Sequence, residues 1–431
     1  MVLENRDGLR GAVWCRGAKL NFAENLLTRA DDTPVVMMDM PPLLDFMALK
    51  SSRNLGNRMT VIHISKGRTK HMLVGALLAS VMGAGIAATK PSPAAGEYSV
   101  VAKIPGGDSI AAWDHAIIDP ATGQLFLAGV STTPGKSGVA SLDLASNRAV
   151  APFVPVGMPH GIAILGGGNA AVADASKNQV TLFNEKSGEL LETVATGKPA
   201  SADAWKTPDV MIRDPKTGLL IAGNHDIGQL ALVDPKLLKV VGKIEIGGEL
   251  EEMAARGDGT LFVNVEDQGT VAVVDLLTQQ VVKRFPMEGC EGATGLAYDA
   301  PNDMIVSVCA NGLAKFLDAT QGTELASLNV GKGADGVIYD PSRKTIFIPG
   351  GNDGKLSIIR FTDRHDIKLI QTIAIPLGTR LGAIDVNTGK VYLPNALPDM
   401  KAPPLRLPGL PPIPPAAKGS FEYLVVAPRS Q

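Results

Sequence analysis

The chain has 431 residues and a formal net charge of −2, with 45% hydrophobic but only 4% aromatic residues, 47 Gly and 30 Pro. A charge so near zero excludes a nucleic-acid surface built on bulk basicity. Apart from one shorter segment near the N-terminus, no uncharged apolar run approaches the ~20 residues of a membrane-spanning helix. Plentiful Gly and Pro between short Val, Ile and Leu runs predict an all-β fold of short strands and tight turns.

In chain order, residues 8–34 come first, with Trp14, Gly17, Ala18, Leu20, Asn21, Ala23, Glu24, Asn25, Leu26 and Leu27 in the pattern W-x-x-G-A-x-L-N-x-A-E-N-L-L. This fragment resembles the start of acetoacetyl-CoA synthetases. The Ser/Thr/Gly-rich ATP loop of that family is absent from the chain, so no synthetase activity is expected. Residues 1–58 are expected to be a spurious or fused leader without structure of its own. Residues 59–96 read as a signal peptide and linker. Lys66, Arg68 and Lys70 precede the apolar run Met72–Ile86, which ends in Ala87-Ala88. A basic region, an apolar core and small residues at the exit make a secretory signal, and Met59 is the natural start for it. The expected location is periplasmic or secreted, with no membrane attachment once the signal is removed.

From residue 97 the chain repeats. In Val210–Gly248, VMIRDP reads as an inner strand, TGLLIAGN as a second, GQLALVDP as a third and KVVGKIEIGG as the outermost. The same grammar opens units near Ala116, Gly161, Val210, Met253, Gly295, Gly336 and Gly382. A period in the forties with four strands per unit signals a β-propeller, so residues 97–428 are expected to form seven blades. The last unit is one strand short. The orphan EYSVVAKIP (Glu97–Pro105) is expected to complete it beside Phe421–Pro428, closing the ring and removing exposed sheet edges. The Pro-rich stretch Asn395–Gly419 favours extended polyproline geometry and reads as a solvated loop.

Several phrases within these repeats are more specific. They are Trp113-Asp114, His160-Gly161-Ile162-Ala163, Asn264-x-Glu266-Asp267, Cys290-Glu291-x-x-Thr294-Gly295-Leu296, and the Arg380 region ending in Gly389-Lys390-Val391-Tyr392-Leu393-Pro394. Together they resemble the YncE-like, or YVTN-repeat, family of seven-bladed propellers. The resemblance implies an exported propeller and fixes no single activity, because propellers host many functions.

Residues just before each inner strand gather at one mouth of a propeller's channel. Here they are Asp114 with His115, then His160, Asp209, Glu252, Glu291, Asp335 and Arg380. Five carboxylates in one ring repel each other unless something compensates. Asp209, Glu252, Glu291 and Asp335 are therefore the expected ligands of a divalent cation, Ca²⁺ first and Mg²⁺ second, since the ligand atoms are all oxygen. His160, Arg380 and Asp114 are the expected catalytic residues, with His160 as base and Arg380 as oxyanion or carboxylate partner. The loop tips Asn224-His225-Asp226, Glu266-Asp267, Asn311 and Asn352-Asp353 open on the same face, and each alone reads as turn chemistry. Gly129–Ser137 is expected to be a hairpin tip rather than a phosphate loop. Cys290 and Cys309 fall on neighbouring strands and are expected to form a disulfide.

Two functions fit. One is a metal-dependent hydrolase of a small lactone, the cation polarising the carbonyl and a side chain activating water. The other is a non-catalytic propeller of the cell envelope that binds a ligand or protein through the same face. The partner expected first is a small-molecule substrate, with no nucleic acid, and the protein is expected to be a monomer.

Overall fold

The computed structural model describes residues 97–197, 207–406 and 412–429. The expected leader and signal segment lie outside the described residues. The repeat region is an all-β, seven-bladed propeller: seven four-stranded antiparallel sheets, six built from consecutive strands and one that joins the two ends of the repeat region. Blade 1 begins with Ala112–Asp119, blade 2 with Pro159–Gly166, blade 3 with Met211–Arg213 and blade 4 with Leu250–Ala255. Blades 5, 6 and 7 begin with Ala293–Asp299, Ile338–Asp340 and Ala383–Asp385.

Burial explains the strand composition. The second strand of blade 1 carries Leu125, Phe126, Leu127 and Ala128 in succession, all fully buried. A strand pressed between two neighbouring sheets has no solvent face, so it needs an unbroken apolar run. The outermost strand Lys239–Glu245 alternates between exposed and half-buried residues, with Ile244 buried, which is the pattern of a sheet edge facing water on one side.

Much of the chain's acid content is used in turns on the face opposite the mouth. Carboxylates of Asp119, Asp214, Asp340 and Asp385 accept backbone N–H groups from Ala121 (3.0 Å), Thr217 (2.7 Å), Ser342 (3.0 Å) and Asn387 (3.1 Å). Asp234, Asp275 and Asp318 close the next turn of their blades on Lys236, Leu277 and Thr320. These short local bonds favour turns over continued strands.

Ring closure is as the repeat grammar predicts. Tyr98–Pro105 pairs antiparallel with Glu422–Pro428, from Tyr98↔Pro428 to Pro105↔Glu422. The Gln371 side chain of blade 6 stitches the seam, accepting from Tyr98 N and donating to Tyr98 O, both at 2.8 Å. The buried Tyr98 ring meets Phe347 edge-on at 4.8 Å. The Pro-rich stretch departs from a simple solvated loop. Its described parts double back, pairing Leu405 with Ile413 and Pro398 with Ala416, and Ala416 N donates to Ala111 O at 2.9 Å beside blade 1. Gly129–Ser137 is the hairpin tip between Gln124–Val130 and Gly138–Asp143, and Cys290 is disulfide-bonded to Cys309 with Cα atoms 5.4 Å apart.

Candidate functional site at the channel mouth

The mouth is built by a repeated irregularity. In blades 1, 2, 4 and 5 the pairing of the first two strands slips at the same point. Asp114-His115, His160-Gly161, Glu251-Glu252 and Thr294-Gly295 are the residues that the slip leaves out of register. A β-bulge of this kind bends the strand and re-aims side chains. It also brings adjacent blades together: Gly161 N donates to Asp209 O at 2.8 Å, and Gly336 N donates to Arg380 O at 3.2 Å. A Cβ on Gly161 would lie 2.5 Å from Asp209 O, and one on Gly295 would lie 2.5 Å from Val337 N, so only glycine permits this approach. Taken round the ring, the equivalent positions are Asp114, His160, Asp209, Glu251, Thr294, Asp335 and Arg380.

Five of these form a chain of alternating charge. Arg380 Nε donates to Asp335 Oδ2 at 2.8 Å, its Nη2 to Trp113 O at 2.8 Å, and that same nitrogen lies 3.8 Å from Asp114 Oδ1. His160 Nδ1 lies 2.8 Å from Asp114 Oδ2 and 3.0 Å from Asp209 Oδ1. His160 and Asp209 are each only 2% exposed. Burial opposes a charge on His160, but Asp114 and Asp209 reverse that and lift its pKa to about 10. His160 is therefore an imidazolium at neutral pH, and it returns to being a base only if its proton is displaced. His115 differs: burial lowers its pKa to about 4 despite Asp114, and its Nδ1 accepts from Ile162 N at 3.2 Å as a neutral ring.

Blade 4 brings two adjacent carboxyls, Glu251 and Glu252, to the mouth. Burial raises the Glu252 carboxyl, its own Met253 amide opposes that, and Glu251, Asp335 and Asp209 push it further, to about 8. Beside it, His225 Nε2 lies 3.3 Å from Glu251 Oε1 and 3.4 Å from Glu266 Oε2, with Nδ1 3.2 Å from Asp226 Oδ1. His225 and Glu266 each open a 3-10 turn that ends in a left-handed glycine, Gly228 (φ 62°) or Gly269 (φ 57°).

Among the described residues, two sets of three donors have all their ligand atoms within 4.8 Å of one another: Asp114, His160 and Asp209, and His225, Glu251 and Glu266. Of the expected metal ligands only Asp209 belongs to either set. Glu252 is within electrostatic reach of Glu251, Asp335 and Asp209, Asp335 is paired with Arg380, and Glu291 is exposed at the rim of a depression of about 420 Å³ shared with Glu249, Glu266 and Asp267. The expected catalytic residues Asp114, His160 and Arg380 do come together. Sequence reading passed over Glu251 and took His225 and Glu266 for turn residues. Aligning NHDIGQ (224–229) with VEDQGT (265–270) would have placed those two at equivalent positions. Other loop tips brace a neighbouring loop: Asp267 accepts from Glu249 N, Asp353 from Lys332 N, and Asn311 donates to Gly289 O.

No family model matches the chain, and no curated protein sequence does. Solved structures share the architecture. A chain of Kuenenia stuttgartiensis hydrazine synthase superposes with a TM-score of 0.56 at 15% identity, over 67% of this chain and 94% of its own. A chain of the mitotic checkpoint complex gives 0.57 at 14% identity, over 79% and 96%. At such identities the likeness is one of fold.

Proposed function

We propose that this protein is an exported propeller that binds a small lactone at the channel mouth and hydrolyses it with the help of a divalent cation. The observation that carries the reading is the convergence of Asp335, Arg380, Asp114, His160 and Asp209 at equivalent positions of consecutive blades. Arg380 is fixed at Nε and Nη2 while its side chain stays 40% exposed, which suits it to hold a carbonyl oxygen or a carboxylate. His160 is charged and buried, and the carboxylates beside it are tied to cations, so this arc holds no strong base. A divalent ion held by Asp114, His160 and Asp209 or by His225, Glu251 and Glu266 would supply water activation in place of that base. An imidazole in each donor set shifts the favoured ion from Ca²⁺ toward Zn²⁺ or Mn²⁺. The Cys290–Cys309 disulfide supports an oxidising compartment, as does the resemblance of the repeats to exported YncE-like propellers.

The test is turnover of a lactone panel by the full chain, after EDTA treatment and after adding back Ca²⁺, Mn²⁺ or Zn²⁺. The expected result is hydrolysis that EDTA abolishes and one ion restores. Arg380→Gln is expected to lose ~10²–10³-fold in kcat/KM, the usual effect of removing an oxyanion donor. The charged state of His160 favours a second reading, a non-catalytic ligand-binding propeller of the cell envelope. That reading takes over if no lactone is turned over under any metal condition.

A further inference from the structure

We propose that a cavity between blades 1 and 2, on the face opposite the channel mouth, binds a small zwitterion with an apolar body, the chemistry of a free apolar amino acid. Glu185 takes its ammonium group, and Arg148 and Lys186 take its carboxylate. The inference is independent of the lactone reading and of any cation at the mouth.

A break in the repeat points there first. In blades 1, 4, 5 and 6 the residue at the end of the third strand is apolar. The N–H groups of Leu144, Leu276, Ala319 and Phe361 donate to Gly123 O, Gly259 O, Asp303 O and Lys344 O at 2.9 to 3.2 Å. All four side chains pack into the apolar clusters of the core. In blade 2 the same bond, from Glu185 N to Gly168 O at 2.9 Å, is made by an acid.

That acid is poorly served by the fold. Glu185 is 2% exposed, and among the described residues no N–H or hydroxyl group donates to either of its carboxyl oxygens. Its neighbour is a second acid, Asp119 of blade 1, which is 7% exposed. Against the effect of burial, Ala121 and Thr122 hold the Asp119 carboxyl below its usual range. Burial and then Asp119 push Glu185 up to about 7. A buried acid beside another acid costs stability, and four other blades close the same turn with an apolar residue. A cationic group on a ligand gives this acid a use.

The surroundings define the rest of the ligand. Glu185 lines a cavity of about 570 Å³, within the ~300–1,000 Å³ range of small-molecule sites. Val150 and Phe153 give it an apolar wall, and Arg148 and Lys186 give it two exposed positive charges. Neither of these cations is in an ion pair among the described residues. Asp143, the other charged group of the lining, is committed locally. It accepts from Ser146 N and Oγ, both at 2.7 Å, and from Gln124 Nε2 at 2.9 Å. An acid, two cations and an apolar wall are the complement of a zwitterion. On binding, the ligand's ammonium group replaces the proton on Glu185, which leaves to solvent.

The test is calorimetric titration of the full chain with phenylalanine and with its two halves, phenethylamine and 3-phenylpropanoate, in buffers of different protonation enthalpy. Phenylalanine is expected to bind at a single site and to release a proton below pH 7. Its affinity is expected to rise with pH and level off above about 7, because the bound state needs ionised Glu185. Each half is expected to bind ~10–100-fold more weakly, the usual loss for one charged hydrogen bond. Glu185→Gln is expected to weaken phenylalanine and phenethylamine by a similar factor and to abolish proton release. Arg148→Gln, at an exposed position, is expected to weaken phenylalanine and 3-phenylpropanoate but to spare phenethylamine. Thermal melts check that both variants fold. Absence of saturable binding of phenylalanine by folded wild-type protein overturns the proposal. So does phenylalanine binding that is unchanged in folded Glu185→Gln, or 3-phenylpropanoate binding as tightly as phenylalanine.

Discussion

The two sides of the channel mouth use similar residues at different spacings. From blade 6 through blade 3 the charges alternate, Asp335, Arg380, Asp114, His160 and Asp209, with contacts at 2.8, 2.8 and 3.0 Å. In blades 3 and 4 one imidazole, that of His225, faces Asp226, Glu251 and Glu266 at 3.2 to 3.4 Å. The tight arc ties its charges into pairs, and the looser one spreads them over two loops and a bulge. Counting carboxylates round a ring therefore does not by itself locate a metal.

Substitutions in the charge-alternating arc should cost stability. His160→Ala leaves Asp114 and Asp209 facing each other with Asp209 buried, and breaking a buried ion pair costs ~3–5 kcal/mol. A large fall in the chemical-denaturation midpoint is expected, and a fall of under ~1 kcal/mol would mean that His160 is not the charge joining the two acids. Arg380→Gln is expected to cost less, about 1 kcal/mol, because its side chain is 40% exposed and solvent screens the pair. The Asp335→Asn and Arg380→Gln double variant should recover part of that loss, and strict additivity would show the two residues to be uncoupled.

The charge on His160 also predicts a slope with pH. The pKa of His160 rises from 6.5 to about 10 on folding, so the folded state binds its proton more tightly. Its stabilisation is complete below pH 6.5 and is lost as pH rises through about 10. Wild-type stability should decline across that window, measured by melts in matched buffers, and His160→Gln should lack this component. Equal slopes in the two proteins would mean that His160 is neutral.

The fold was legible because its signals are local and repeated. Asp-Pro turns such as Asp119-Pro120 and Asp340-Pro341, unbroken apolar runs such as Leu125–Ala128, and the orphan strand near Tyr98 all report their own surroundings. The site was legible only in part. Asp209, Asp335 and Arg380 lie two or three residues before their inner strands, and Asp114 and His160 lie at the bulges near the start of theirs; all five stand next to the repeat openings, so position alone found them. Glu251 was missed because a bulge adds a residue to the strand, so counting back to the repeat selects its neighbour Glu252. In blade 5 the same bulge places Thr294 at the mouth, its Oγ1 donating to Ala334 O at 2.9 Å, while Glu291 lies three residues earlier on the exposed rim. His225 and Glu266 sit in turns, and a turn residue acquires chemistry only when another strand places a partner against it.

A crystal of the full chain soaked in Zn²⁺, with anomalous diffraction measured at the zinc edge, puts the proposed cation of the mouth to its most direct test. An anomalous peak is expected at one of the two donor sets, Asp114, His160 and Asp209 or His225, Glu251 and Glu266. Diffraction with no anomalous peak at either set would contradict the metal-assisted reading.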